Sequence, residues 1–225
     1  MRKKLLIIAA AASAVLLAGC QKTTGLIGIT YYPDIELEGD NPLVVQLGAS
    51  YVEPGFTVTL NGEDITSNAT VSSTVDTSAP GIYSVTYSAV NADGFSGSAT
   101  RNVYVLNPGG IDNVYMSATV YGTRSYNVPF IIKKASDGVY EVEDLFGGFY
   151  CYGRYPGYEP TYDFHCESTI SINSDNTLKL LSHGPWYFGS SFDYDSFEGT
   201  YDPATGVLAW TIEGDFSVKL TPFNE

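Results

Sequence analysis

The chain has 225 residues and carries 25 acidic against 11 basic side chains, a net charge of -14. That balance excludes nucleic acid as a partner and excludes electrostatic attachment to an anionic membrane surface, because both need clustered Lys and Arg. With 18 Tyr, 11 Phe and 23 Gly, and few Ala, Leu or Lys beyond residue 20, the composition argues for strands and turns, an all-β protein.

The first element is a leader. Arg2, Lys3 and Lys4 precede an apolar run, Leu5 to Leu17, broken only by Ser13, and Leu17-Ala18-Gly19-Cys20 closes it. Basic, apolar, then small is the order of a secretory signal peptide, and the run is too short for a permanent membrane-spanning helix. The four closing residues resemble the lipobox of bacterial lipoproteins. The resemblance implies that residues 1–19 are removed and that Cys20 carries a diacylglyceryl group. The alternative is a secreted protein in which Cys20 is incidental. Loss of residues 1–19 removes three basic and no acidic side chains, so the net charge deepens from -14 to -17 and any anchoring falls to the lipid. Residues 20–32 form a tether made pliant by Gly25 and Gly28.

Short strand signals follow at regular spacing over residues 33–106: Asp34–Leu37, Leu43–Leu47, Phe56–Leu60, Ala69–Thr74, Gly81–Val90 and Ser96–Val105. Gly, Pro, Asn and Asp turns separate them, as in a β-sandwich. In Ile82–Val90, Tyr83, Val85 and Tyr87 alternate with Ser84, Thr86 and Ser88, the period-two pattern of a half-buried strand. Tyr51-Val52-Glu53-Pro54-Gly55-Phe56, Asp64-Ile65-Thr66, Val75-Asp76-Thr77, Pro80-Gly81-Ile82-Tyr83 and Arg101-Asn102-Val103-Tyr104-Val105 stand in the order of the bacterial surface immunoglobulin-like repeat, which this segment resembles. That module also occurs in crystal-type insecticidal toxins. The resemblance implies a fold and a spacer or adhesive role, not an activity.

Asn107-Pro108-Gly109-Gly110 breaks the pattern and marks a linker at residues 107–110. Residues 111–225 then read as a second antiparallel β domain of eight or nine strands, a sandwich or a barrel-like sheet. Its cleanest part is the last hairpin. Leu208, Trp210 and Ile212 alternate with Ala209 and Thr211, Glu213-Gly214-Asp215 turns, and Phe216, Val218 and Leu220 alternate with Ser217 and Lys219. A three-residue turn pairs Ile212 with Phe216, Trp210 with Val218 and Leu208 with Leu220 on one face. Gly138-Val139-Tyr140-Glu141-Val142-Glu143-Asp144-Leu145-Phe146-Gly147-Gly148, Asn176-Thr177-Leu178-Lys179 and Gly199-Thr200-Tyr201-Asp202-Pro203 resemble the C-terminal domain of small Bacteroidota-type outer-membrane lipoproteins. That resemblance implies an outer-membrane location, the outer face favoured, beside starch-utilisation-type import systems. The acidic stretch that many such proteins carry after the lipid cysteine is replaced here by Gln21-Lys22-Thr23-Thr24.

Catalytic constellations are missing from the sequence. There is no Gly-x-Ser-x-Gly, no phosphate-cradling glycine loop, no His-Glu-x-x-His and no Cys-x-x-Cys, so neither a catalytic residue, a metal ligand nor a cofactor is expected. His165 and His183 read as loop and strand-end residues, the alternative being a metal or catalytic role. Asp193, Asp195, Glu198 and Asp202 are dense, with Asp193 and Asp195 on one face if the segment is a strand. They are a solvated edge or, failing that, a calcium site. Cys151 and Cys166 form an even pair in an exported chain and are candidates for a disulfide, the alternative being two buried thiols.

Candidate ligand-binding residues lie in the same region. Seven aromatics fall between Phe149 and Phe164, and Trp186-Tyr187-Phe188 forms a second group. Tyr150, Tyr152, Tyr155, Tyr158, Trp186 and Tyr187 are the candidates, because Pro-Gly loops on a β scaffold cannot bury them all. Exposed rings suit sugars or peptides; the alternative is that they close the ends of the β structure. The reading is a non-catalytic lipoprotein that binds a glycan or peptide ligand, or outer-membrane import proteins. Its competitors are a structural or adhesive surface protein and, third, a β-sandwich glycoside hydrolase.

Overall fold

The computed structural model describes residues 29–189 and 192–224; the leader, Cys20 and most of the tether lie outside the described residues. Its first half is a sandwich of two sheets. One holds β1 (Asp34–Leu37), β3 (Phe56–Leu60) and the two-residue β4 (Glu63–Asp64). The other holds β2 (Leu43–Gln46), β5 (Thr70–Ser73), β6 (Gly81–Val90) and β7 (Ser96–Leu106) in the order β2-β7-β6-β5. Each strand read from the sequence is present with its ends agreeing to a residue; β4 is additional. The alternation in β6 works as read. Val85 and Tyr87 point inward and, with Val45, Val103 and Val105, fill the space between the sheets. The Phe56 and Tyr87 rings lie 4.3 Å apart.

One charge is buried in this sandwich. The Arg101 guanidinium is fully covered, donates to the carbonyls of Glu38, Asp40 and Gly55, and pairs with Glu53 Oε1 at 3.0 Å. A buried cation is tolerated only when its donors find partners, and here three strand-end carbonyls and a carboxylate supply them.

The second half is a closed antiparallel barrel. Its strands are β8 (Asn113–Tyr121), β9 (Arg124–Ser136), β10 (Val139–Val142), β11 (Ser168–Ile172), β12 (Thr177–His183), β13 (Glu198–Asp202), β14 (Val207–Ile212) and β15 (Phe216–Pro222). Between the two architectures the sequence left open, the barrel is the one formed. β15 pairs with β8 from Phe216↔Tyr121 to Pro222↔Tyr115, so the last strand closes on the first and no edge is left. The hairpin has the register read from the sequence, Ile212↔Phe216, Trp210↔Val218 and Leu208↔Leu220. All six side chains lie in the barrel core, each stabilising by about 1.5–3 kcal/mol through burial.

The segment at 107–110 is a closed turn rather than a loose tether. Gly110 N–H donates to Asn107 O, Asn107 N–H to Asn113 Oδ1, and Asn107 Nδ2 to Asp112 Oδ1. An apolar cluster spans the join, with Tyr104 and Leu106 of β7 against Val114 of β8, Ile131 of β9 and Phe223. Strand directions then set the position of the site. The connections 143–167 and 184–197 emerge side by side, since Val142, Ser168 and His183 are neighbours in register.

Candidate functional site

The 143–167 connection folds back into the barrel mouth because a buried carboxylate organises it. Asp144 is fully buried and accepts from the backbone N–H groups of Phe146 at 3.2 Å, Gly148 at 2.9 Å and Cys166 at 3.1 Å. Burial pushes it up to about 6, against the pull of those three donors. Gly147 and Gly148 make the reversal possible. Both have positive φ, 61° and 81°, and a Cβ on Gly147 would come within 2.6 Å of Val218. The chain continues in a single π-helical turn, Phe149–Arg154, and Trp210 Nε1 donates to Leu145 O at 2.8 Å.

Aromatic side chains occupy the mouth in two layers. The inner layer is a plug of Phe146, Phe149, Trp186, Phe192 and Phe216, with Tyr150 half-buried against it; the Trp186 ring lies 4.6 Å from Phe146 and 5.1 Å from Tyr150. The outer layer faces solvent. Tyr158, Tyr162, Tyr187 and Phe188 are 51%, 42%, 53% and 45% exposed, around a buried Phe164 and a half-buried Tyr155. These six rings touch in sequence. Phe164 stacks on Phe188 at 5.5 Å and lies 5.0 Å from both Tyr155 and Tyr187, while Tyr158 lies 6.0 Å from Tyr162. The result is a contiguous aromatic platform at the mouth of the barrel.

The candidates read from the sequence therefore divide. Tyr155, Tyr158 and Tyr187 are in the platform. Trp186 is not: it is 8% exposed, inside the plug, with its Nε1 buried and unpaired. Tyr150 packs beside it. The reason is that the 184–197 connection crosses the mouth, which puts the middle of Trp186-Tyr187-Phe188 outside and its first residue inside. Tyr162, Phe164 and Phe188 complete the platform and were not among the candidates, although their place in the same aromatic-rich segments was the available signal.

Tyr152 has a different task. It is 37% exposed; its hydroxyl donates to Glu143 Oε1, and the hydroxyl itself lies 3.1 Å from His165 Nε2. With Glu143 it lines an open groove of about 1200 Å³ between the sandwich and the barrel wall, shared with Tyr83, Tyr104, Lys133 and Glu167.

The disulfide expected between Cys151 and Cys166 is not formed. Both thiols are free and buried. Cys151 sits in the π-helical turn rather than in a strand opposite Cys166, so the paired geometry the bridge required never arises. Cys166 Sγ faces Gly184 O at 3.7 Å, and Cys151 Sγ faces Asp144 Oδ2 at 3.9 Å. Burial pushes both thiols up to about 11.

His165 is more heavily partnered than a plain loop histidine. Its Nδ1 lies 2.8 Å from Asp163 Oδ1 and 2.9 Å from Glu159 Oε1, and its Nε2 lies 3.7 Å from Glu143 Oε1. The Cys151 sulfur and Glu143 push the ring up to about 12, against the opposing effect of burial. Burial acts to raise Glu143, but hydrogen bonds from His165 and Tyr152 outweigh it and hold that carboxylate below its ordinary value. His183 ends β12 and stacks on Tyr194 at 3.8 Å.

The acidic group is split: Glu198 and Asp202 are the two ends of β13, while Asp193 and Asp195 lie before it and are not on one face of a strand. Asp193 caps a short 3₁₀ turn, Tyr194–Ser196, by accepting from Asp195 N–H, and Asp202 caps the next turn through Ala204 N–H and Thr205. The metal-ligating group found among the described residues, Cys151, Glu159 and His165, contains none of the four.

A sandwich of immunoglobulin-like topology joined to a closed barrel defines a two-part all-β protein. The model of the Ig-like domain of bacterial surface proteins matches residues 35–105, and that of a C-terminal domain family matches residues 72–222. The chain belongs to the family of the lipoprotein BT2262 from Bacteroides thetaiotaomicron, whose crystal structure it matches at 32% identity and a TM-score of 0.58 over 84% of this chain and 98% of that one. Two structures from Clostridium perfringens ZmpB, one of its M60 catalytic domain with CBM51 domains and one of CBM51-2 with GlcNAc, share 14% and 17% identity. They cover 14% and 29% of those chains at TM-scores of 0.30 and 0.28, too distant to inform function. No curated relative matches the chain.

Proposed function

We propose that this chain is a non-catalytic cell-envelope lipoprotein that binds an uncharged glycan on the aromatic platform at the barrel end. The observation that carries the reading is the platform itself. Four large aromatic side chains at 42–53% exposure, in mutual contact and on loops held by a rigid barrel, expose apolar area that contributes nothing to the fold. Tyrosine rings offer flat faces for the C–H surfaces of pyranose rings and hydroxyls for their polar edges. Charge selects among ligands. Glu159 and Asp163 border the platform and the chain carries -14 overall, so anionic glycans are repelled. Membership of a lipoprotein family supports anchoring through Cys20. No helix among the described residues is long and apolar enough to cross a membrane. In this reading the sandwich is the spacer between anchor and barrel.

A panel of neutral oligosaccharides immobilised on a surface tests the reading. Retention of the mature chain on some members, lost in a Tyr158→Ser/Tyr187→Ser variant, supports it; no retention on any overturns it. A role beside outer-membrane import proteins rests on the same family resemblance. Detergent pull-down from native membranes should recover a transporter, and recovery of this chain alone would remove that part.

A further inference from the structure

We propose that Cys151, Glu159 and His165 form a three-residue binding site for one divalent transition-metal ion of the zinc class. The three side chains come from separate points of the 143–167 connection, yet a sulfur, a carboxylate oxygen and an imidazole nitrogen all lie within 4.8 Å of one another. Zinc bonds of about 2.0–2.3 Å set donors roughly 3.5 Å apart in a tetrahedron. No pair of these three donors need close by more than about 1.3 Å, and the Glu159 side chain, 40% exposed, has room to adjust.

The two faces of His165 are already differentiated. Nδ1 is flanked by Asp163 at 2.8 Å and Glu159 at 2.9 Å, the side on which an ion would take the place of the ring proton. Nε2 faces Glu143 and the Tyr152 hydroxyl, the outer carboxylate that fixes the ring of a metal-bound histidine. An imidazolium ringed by carboxylates would account for the oxygens alone. The Cys151 sulfur beside the same ring adds a soft donor; it is 3% exposed and lies 3.9 Å from Asp144 Oδ2. A sulfur, nitrogen and oxygen donor set favours zinc over calcium or magnesium, which take oxygen alone.

The bound ion would tie the π-helical turn of the plug to the loop that carries Tyr155, Tyr158 and Tyr162. The site stands independently of what the platform binds.

The test uses the full mature chain, reduced and stripped with a chelator, titrated with Zn²⁺ and separately with Co²⁺. One ion per chain, with a thiolate-to-cobalt charge-transfer band, is the expected result. Cys151→Ser and His165→Gln should each weaken Zn²⁺ binding by more than about 100-fold, beyond the roughly 10–100-fold that outer partners contribute. Glu159→Gln, at an exposed position, covers the case in which Cys151→Ser does not fold, and should weaken binding at least about 10-fold. Absence of the thiolate band in the wild-type chain, no uptake, or unchanged affinity in a folded variant overturns the site.

Discussion

Trp186 separates a core aromatic from a binding one, and substitution there has a calculable cost. The indole sits among Phe146 at 4.6 Å, Tyr150 at 5.1 Å, Phe188 at 5.2 Å and Phe192 at 5.3 Å. Trp186→Ala opens a cavity in the plug and loses those pairs, so it should destabilise the barrel by about 3–5 kcal/mol. Trp186→Phe keeps a ring in place and also removes a buried N–H that has no acceptor. An unsatisfied buried donor costs about 1–3 kcal/mol, which offsets the lost contact area, so the Phe variant should fall within about 1 kcal/mol of wild type. Urea unfolding followed by the fluorescence of Trp210, which lies in the same barrel, reads both variants. A cost below about 1 kcal/mol for the alanine variant, together with lost ligand binding, would put the indole on the surface and refute the packing described.

Three further expectations follow from buried or titrating groups and from the join. Arg101→Met removes the cation that pairs with Glu53 and the donor to the carbonyls of Glu38 and Asp40; it should destabilise the sandwich by about 3–5 kcal/mol in urea, and a cost under 1 kcal/mol would contradict the buried network. His165 is raised from 6.5 to about 12, so its contribution is fully present below about pH 6.5 and is lost as pH rises toward 12. In a chelator the melting temperature should fall across that window, and His165→Gln should be less stable than wild type at pH 6 with the gap narrowing as pH rises toward 11; a constant gap would sink the assignment. A fragment of residues 111–225 should fold alone as a β barrel, because its sheet closes on itself, but with lowered stability from exposing Val114, Ile131 and Phe223. A fragment without cooperative unfolding would mean the sandwich is part of the barrel's fold.

What the sequence disclosed followed a simple physical line. Strand positions and the Leu208–Leu220 register are local properties, set by period-two alternation and by a three-residue turn, and they were legible. Whether eight strands close into a barrel depends on β15 meeting β8 across a hundred residues, which no local pattern encodes. Burial of Trp186 was hidden for the same reason: a connection crossing the mouth decides which of three consecutive aromatics faces in. The expected disulfide failed because it assumed paired strands where the chain makes a π-helical turn. Asp144 could have been noticed, since an aspartate three residues before a Gly-Gly pair suits a side chain that caps its own turn, but its burial was invisible among 25 acidic residues. The convergence of Glu143, Glu159, Asp163 and His165 likewise needed the loop to fold back on itself.

The platform is the centre of the functional account, and one paired measurement on Tyr158→Ser/Tyr187→Ser tests it most directly. Calorimetric affinity for a retained neutral oligosaccharide and the melting curve should be recorded on the same protein. Because both rings are half exposed, stability should change by no more than about 0.5 kcal/mol per site. Affinity should fall by more than about 1 kcal/mol per anchor. Unchanged affinity with a large loss of stability would make these tyrosines part of the plug and contradict the assignment of the barrel end as the binding surface.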